Sequence, residues 1–146
     1  MLQVLTKNTG NFNSFYLRRQ RGPDAGGSLA TPVSSILDEK GEKRVKRALH
    51  CVICDHIISF QEALCERAGS HEHLQTNPQG LTFAFGCFAE APGVVETSLP
   101  TQAFSWFLGY EWQVIACASC LEHMGWRFSQ PQDHFYGLLF EKIFPD

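Results

Sequence analysis

The sequence has no long apolar run and little positive charge in its second part. None of its apolar stretches is long enough to cross a bilayer, and MLQVLTKNTG lacks the basic start and continuous apolar segment of a secretory signal. We therefore expect a cytoplasmic protein without a membrane partner. Residues 51–146 carry three of the twelve Lys and Arg residues but eleven of the fifteen Asp and Glu residues. This part would repel a phosphate backbone, so no nucleic-acid partner is expected.

The residue sets of common hydrolases are also missing. We find no Ser/His/Asp arrangement and no pair of carboxylates at a spacing that suggests hydrolysis. The sequence therefore favours a protein that binds over one that catalyses.

Residues 1–48 are predicted to form a basic, disordered N-terminal arm. The segment RRQRGPDAGGSLATPVSS is rich in glycine, proline, serine and charge, and it offers few residues to bury. Such a segment cannot offset the entropy lost on ordering. A folded domain is predicted over residues 49–146, because the charge balance changes sign just before the first cysteine.

The second part shows the alternation of β-strands. In LTFAFGCF, Phe83, Phe85 and Cys87 fall on one face of a strand, and WQVIAC, GWRFS and HFYGLLFEKIF indicate further strands. NPQG and APGV mark turns, and FQEALCERAG indicates a brief helix. Short strands with glycine and proline between them predict an all-β domain.

Four of the six cysteines form two CxxC pairs: Cys51, Cys54, Cys117 and Cys120. Two residues between cysteines let both sulfurs of a tight turn point at one ion, and four thiolates are a tetrahedral set that Zn²⁺ favours. Four protein ligands leave no position for a reacting water, so the zinc is expected to be structural. His50 and His56 flank the first pair and are interpreted as surface residues or as partners of the ligands. Disulfides or redox dithiols are the alternative.

All three tryptophans lie in one short window, in FSWFLGYEW and HMGWRF. Indole rings can form the walls of a cage around a flat ligand or a cation, and they can equally pack in a core. Composition alone leaves the two readings even. Ser105, Gly109 and Glu111 interleave with the aromatic residues, which favours the cage, and Asn77 lies at a turn that could approach the same mouth.

The order of the motifs CxxC, NPQG, FSWFLGYEW, CxxC, HMGWRF and FYGL resembles the thalidomide-binding domain family of cereblon, also called the CULT domain. The resemblance covers residues 49–144 and extends to the free-standing bacterial form of this domain. It implies a β-tent fold, in which two antiparallel sheets are pinned by a structural zinc. The sequence shows no segment similar to the protease-like and adaptor-binding regions of full-length cereblon, so no ubiquitin-ligase adaptor is expected as a partner. We also expect a monomer.

The resemblance also implies a site for cyclic imides, such as the glutarimide of thalidomide, or for uracil-like rings. Trp106, Trp112 and Trp126 would form the walls of the cage, and Phe128 its floor. Phe104, where animal cereblon has histidine, would bind the imide through its main chain, and Trp106 would add its own main-chain N–H group. Asn77 at the rim and Ser105 complete the ligand-binding set. A cyclic imide at the C-terminus of a peptide is a further expected ligand.

Two functions other than the binding of cyclic imides are also considered. The β-tent is shared with methionine sulfoxide reductases, whose HxGHxF stretch is similar to His123–Phe128. Those enzymes need a cysteine nucleophile after this stretch, and no cysteine follows Cys120, so we expect no enzyme. A zinc-stabilised protein-interaction module, with the tryptophans in its core, is the other alternative.

Overall fold

β-strands dominate the computed structural model, which describes residues 35–37, 41 and 43–146. Apart from two single-turn 3-10 helices, Gln61–Ala63 and Phe140–Lys142, the regular structure of these residues is β. The strands are β1 (Ser35–Leu37), β2 (Lys43–Val45), β3 (Ala48–Cys51), β4 (Ile57–Phe60), β5 (Glu72–Thr76), β6 (Thr82–Phe88), β7 (Val94–Glu96), β8 (Glu111–Cys117), β9 (His123–Gln130), β10 (Asp133–Leu139) and β11 (Ile143–Pro145). The all-β prediction is therefore confirmed.

The described residues form two larger antiparallel sheets, besides the two-stranded hairpin of β1 and β2. The larger has six strands in the order β5-β6-β10-β9-β8-β7, and the smaller has three in the order β11-β3-β4. Every pairing in both sheets is antiparallel. This arrangement agrees with the two sheets of the β-tent that the resemblance implies.

The brief helix indicated by FQEALCERAG is only one 3-10 turn, Gln61–Ala63. After this turn Leu64 forms an isolated antiparallel bridge with Phe88, and the Cys65 N–H donates to the carbonyl of Cys87 at 3.0 Å. The backbone therefore pairs with the end of β6, and a helix would have to give up these bonds.

The predicted arm, residues 1–48, falls mostly outside the described residues. Within it, β1 pairs with β2 in an antiparallel hairpin, and β3 begins at Ala48. The disordered arm and its boundary with the domain stay predictions. No helix in the described part of the chain has the length and apolar character needed to cross a membrane.

A cluster of aromatic side chains forms the core on one face of the six-stranded sheet. Phe128 and Phe135 lie opposite each other on β9 and β10, and their rings stack with centroids 5.0 Å apart. Phe85 on β6 stacks against Phe128 at 6.3 Å. Gly137, opposite Trp126, leaves room for these rings, because a Cβ atom there would lie 2.8 Å from the Phe85 ring. This packing fixes the strands that carry the site.

Candidate functional site

The two CxxC segments fold into turns with matching hydrogen bonds. In the first, the Cys51 N–H donates to the His56 carbonyl at 2.8 Å, and the Asp55 N–H donates to the Cys51 carbonyl at 2.9 Å. In the second, the Cys117 N–H donates to the Glu122 carbonyl at 2.8 Å, and the Leu121 N–H donates to the Cys117 carbonyl at 2.9 Å.

The residue after each second cysteine is left-handed in both turns, with φ of 64° at Asp55 and 63° at Leu121. This conformation reverses the backbone sharply in each turn and brings the two thiols of that turn to the same side.

The four thiols of these turns form one cluster. Their sulfur atoms all lie within 4.8 Å of one another. The separations are 3.7 Å between Cys51 and Cys120 and 3.6 Å between Cys54 and Cys117. Four sulfurs placed about 2.3 Å from a zinc ion at the corners of a tetrahedron would be separated by about 3.8 Å. The geometry therefore fits a metal ion such as zinc.

The protonation of the free thiols differs across the cluster. Burial raises the pKa of Cys51 to about 12, whereas a backbone hydrogen bond from His56 lowers the pKa of Cys54 to about 7. Burial also raises the pKa of Cys117. A divalent cation would offset the cost of buried thiolates, because metal binding deprotonates its cysteine ligands.

The cysteine cluster joins the two sheets. Cys51 ends β3 in the three-stranded sheet, and Cys117 ends β8 in the six-stranded sheet. His50 turns away from the thiols: its ring is buried, Nδ1 lies 2.9 Å from the Asp55 carbonyl, and Nε2 contacts the Asp146 carboxylate. A metal bound to the cluster would therefore tie together strands far apart in the sequence.

A cavity of about 400 Å³ opens beside the six-stranded sheet, and all three tryptophans of the chain line it. Its lining is mostly aromatic or aliphatic: Asn77, Pro78, Gln79, Phe83, Phe104, Trp106, Trp112, Val114, His123, Trp126 and Phe128. Six of the seven residues expected to bind a ligand are thus brought together. Ser105 is not among the described residues that line the cavity; its hydroxyl donates to the Phe107 carbonyl at 3.1 Å.

The sheet supplies one side of the cavity. Trp112 on β8 lies opposite Phe128 on β9, and Val114 lies opposite Trp126, so these four side chains share one face. Trp126 is only 8% exposed and Phe128 only 1%. Core and cage are therefore not alternatives for these two rings, because each packs in the aromatic core and also lines the cavity.

The loop between Thr101 and Trp112 supplies the facing wall. These two residues close the loop with paired backbone hydrogen bonds of 3.1 and 2.9 Å, and the indole N–H of Trp112 donates to the Ala103 carbonyl at 2.8 Å. Within the loop Trp106 extends back to the sheet, where its N–H donates to the Thr76 carbonyl at 3.3 Å. Trp106 and Trp112 are thus held by their polar edges, and their rings remain available as walls.

The turn after β5 forms the rim. The side-chain oxygen of Asn77 accepts the N–H groups of Gln79 at 3.1 Å and Leu81 at 2.9 Å, so it stabilises the NPQG turn predicted from the sequence. Its amide nitrogen is the part of the side chain left to contact a ligand.

His123 also lines the cavity, and it was not among the residues predicted to bind a ligand. Ala116 pairs with His123 and Ile115 with Gly125, so Met124 is an extra residue in β9. This bulge places His123 on the same face as Trp126, and their ring centroids lie 5.2 Å apart. Strict alternation along β9 would have placed His123 on the opposite face, so the sequence did not predict its position. On β6, by contrast, Phe83 lies on the predicted face and lines the cavity.

The described part of the chain gives the cavity an uncharged lining. None of the described residues that line it is Asp, Glu, Lys or Arg. Burial lowers the pKa of His123, so this ring is neutral at pH 7. The site suits an uncharged, flat ligand.

Comparison with known proteins finds similarity to cereblon over about half of the chain. No protein-family model matches the chain. The chain is similar to Protein cereblon of Drosophila willistoni, with 35% identity over 80 residues, 55% of this chain and 12% of that protein. Protein cereblon of Drosophila virilis is 31% identical over 83 residues, 53% of this chain and 12% of that protein.

A shorter stretch of 44 residues is 43% identical to Protein cereblon of Drosophila persimilis, 27% of this chain and 7% of that protein. The matched segments thus span about an eighth or less of these relatives. These matches, with the two antiparallel sheets, the cysteine cluster and the aromatic cavity of the described residues, support a cereblon-like domain in this chain.

Proposed function

We propose that this domain is a non-catalytic receptor for small cyclic imides or uracil-like rings, held in the cage of Trp106, Trp112 and Trp126. The observation that carries the proposal is the convergence of all three tryptophans on one uncharged cavity of about 400 Å³. A flat ring with alternating carbonyl and N–H groups fits such walls. The resemblance to the thalidomide-binding domain points to the same ligands.

Selectivity would come from the edge of the ring. Main-chain groups of Phe104 and Trp106 would pair with the carbonyl and N–H groups of the imide. In a dry, aromatic site an analogue without the N–H leaves a buried acceptor unpaired, which costs about 1–3 kcal/mol. A peptide that ends in a cyclic imide would present the same edge, so it belongs to the proposed ligand class.

The cysteine cluster is proposed to bind one structural Zn²⁺. Four sulfurs at near-tetrahedral separations support zinc over a hard cation such as Mg²⁺, which prefers oxygen ligands. All six cysteines are free thiols, so we further propose a reducing, cytoplasmic compartment.

Reductase chemistry is the less favoured function. It needs a reactive thiolate beside the substrate, and the described residues that line the cavity include no cysteine. Cys65 and Cys87 are the two thiols outside the cluster. Burial raises the pKa of both, that of Cys87 to about 12, which disfavours the nucleophilic form. We therefore propose that the domain does not turn over methionine sulfoxide in the presence of a thiol reductant.

The decisive experiment is a fluorescence titration, because every tryptophan of the chain lines the cavity. Glutarimide should change the emission in a saturable way, whereas N-methylglutarimide, of nearly the same shape, should bind at least about tenfold more weakly. Uracil should behave like glutarimide. No saturable response to any ring, or equal responses to glutarimide and its N-methyl analogue, would contradict the proposal and favour the interaction module.

A further inference from the structure

Phe104 combines two unfavourable features at the mouth of the cavity. Its backbone is left-handed, with φ of 57°, a conformation that costs a phenylalanine of order 1 kcal/mol or more. Its side chain is 77% exposed, although it is large and apolar. Glycine or asparagine would suit this backbone, and a polar residue would suit this exposure.

The surrounding loop enforces this conformation from both sides. On one side, the Ala103 carbonyl accepts the indole N–H of Trp112 at 2.8 Å. On the other, the Ser105 N–H donates to the Gln102 carbonyl at 3.2 Å. The loop therefore holds the Phe104 ring at the mouth of the cavity and away from the core. Departures from local preference of this kind are concentrated at functional sites.

We infer that the Phe104 side chain is a specificity-determining residue that selects rings carrying a flat apolar substituent. This inference rests on the proposed function, and it assigns a role to the side chain beyond that of the main chain. A ring seated among the tryptophans would leave a substituent on one of its carbons at the mouth. There the exposed Phe104 ring faces solvent, and Pro78 and Gln79 form the rim. An aromatic substituent would cover the Phe104 ring and stack on it.

Two ligands that differ only in this substituent test the inference: 3-benzamidoglutarimide and 3-acetamidoglutarimide. The wild-type protein should bind the benzamide about fivefold to tenfold more tightly, the gain expected for one added aromatic contact. In Phe104→Asn, which tolerates a left-handed backbone, and in Phe104→Ala, this ratio should fall to near one. A substitution that shifts the main chain contacting the imide would lower both affinities, so the ratio is the readout: the affinity for the benzamide should fall about fivefold to tenfold more than that for the acetamide, whose methyl group has little to stack on Phe104.

Leu108→Ala is the matched control, because Leu108 lies in the same loop, is fully exposed, and is outside the lining of the cavity. It should keep the wild-type ratio. Phe104→Asn should melt no earlier than the wild type, which separates selection of a ligand from a structural role. A ratio unchanged in both Phe104 variants would overturn the inference alone. If no glutarimide binds the wild type, the proposed function fails, and the inference fails with it.

Discussion

The indole rings of Trp106 and Trp126 meet edge to face, with centroids 4.9 Å apart and planes inclined by 81°. One ring belongs to the loop after Thr101 and the other to β9 of the six-stranded sheet. The sheet fixes Trp126 through its pairing with Val114. The width of the cage therefore depends on how firmly the loop is held against the sheet.

Trp112→Phe should weaken binding while it keeps an aromatic wall. The substitution removes the N–H that donates to the Ala103 carbonyl at 2.8 Å and thereby loosens the residues before Trp106. A net hydrogen bond of about 1 kcal/mol corresponds to a loss of roughly fivefold to tenfold in glutarimide affinity. Calorimetric titration avoids the change in fluorescence that the substitution itself causes. Wild-type affinity in this variant, compared with Leu108→Ala in the same loop, would show that the bond does not hold the cage.

Cys120→Ser should remove the metal and destabilise the domain, whereas Cys65→Ser should do neither. Cys120 lies in the four-sulfur cluster that joins the two sheets, and Cys65 lies outside it. Structural zinc sites contribute of order 10 kcal/mol, comparable with the whole stability of a small domain. Elemental analysis should give one zinc per wild-type chain. Chelation should lower the melting temperature of the wild type and of Cys65→Ser alike. A metal-free protein with an unchanged melting curve would refute a structural role.

Features of this site that depend on residues close together in the sequence could be predicted, whereas those that depend on distant residues could not. The cysteine turns are predictable because the CxxC spacing and the tight turn lie within a few residues. Trp112 and Phe128 meet because β8 pairs with β9, and the sequence does not indicate this pairing; the resemblance gave only their roles as wall and floor. His123 was missed because the extra residue in β9 changes its face. The side chain of Phe104 is 77% exposed because the loop imposes a left-handed backbone there, and no pattern in the sequence predicts that backbone conformation.

Asp133 should contribute stability that disappears in acid. Its carboxylate accepts the hydroxyl of Tyr110 and pairs with Arg67 at 3.2 Å, thereby tying the cage loop to β10. The hydrogen bond from Tyr110, together with the charge of Arg67, lowers the pKa of Asp133 in the folded protein. A lowered folded pKa stabilises the fold above the unfolded value of about 3.9, and this contribution is lost as the pH falls through the folded pKa.

Asp133→Asn should therefore lower the free energy of unfolding by about 1 kcal/mol at pH 7, a modest figure because water screens this partly exposed group. Urea unfolding of the two proteins should give a constant difference down to about pH 4, which closes at lower pH. Loss of metal in acid affects both proteins, so the difference between them is the readout. Tyr110→Phe should reproduce most of the loss at pH 7, and a difference that grows as the pH falls would contradict this account.

Gly125→Ala should destabilise the domain far more than Gly80→Ala, although both glycines have positive φ, 142° and 84°. At Gly125 a Cβ atom would lie 1.8 Å from the Gly137 carbonyl oxygen on β10, so the strands would have to separate beside Trp126. At Gly80 no heavy atom lies within 4 Å of the added carbon. Gly80→Ala should therefore cost only the backbone strain, about 1–2 kcal/mol, whereas Gly125→Ala should cost about 3 kcal/mol or more. Urea unfolding midpoints measure both values. Similar losses would mean that strain at positive φ, and not the close approach of β9 to β10, sets the requirement for glycine beside the cage.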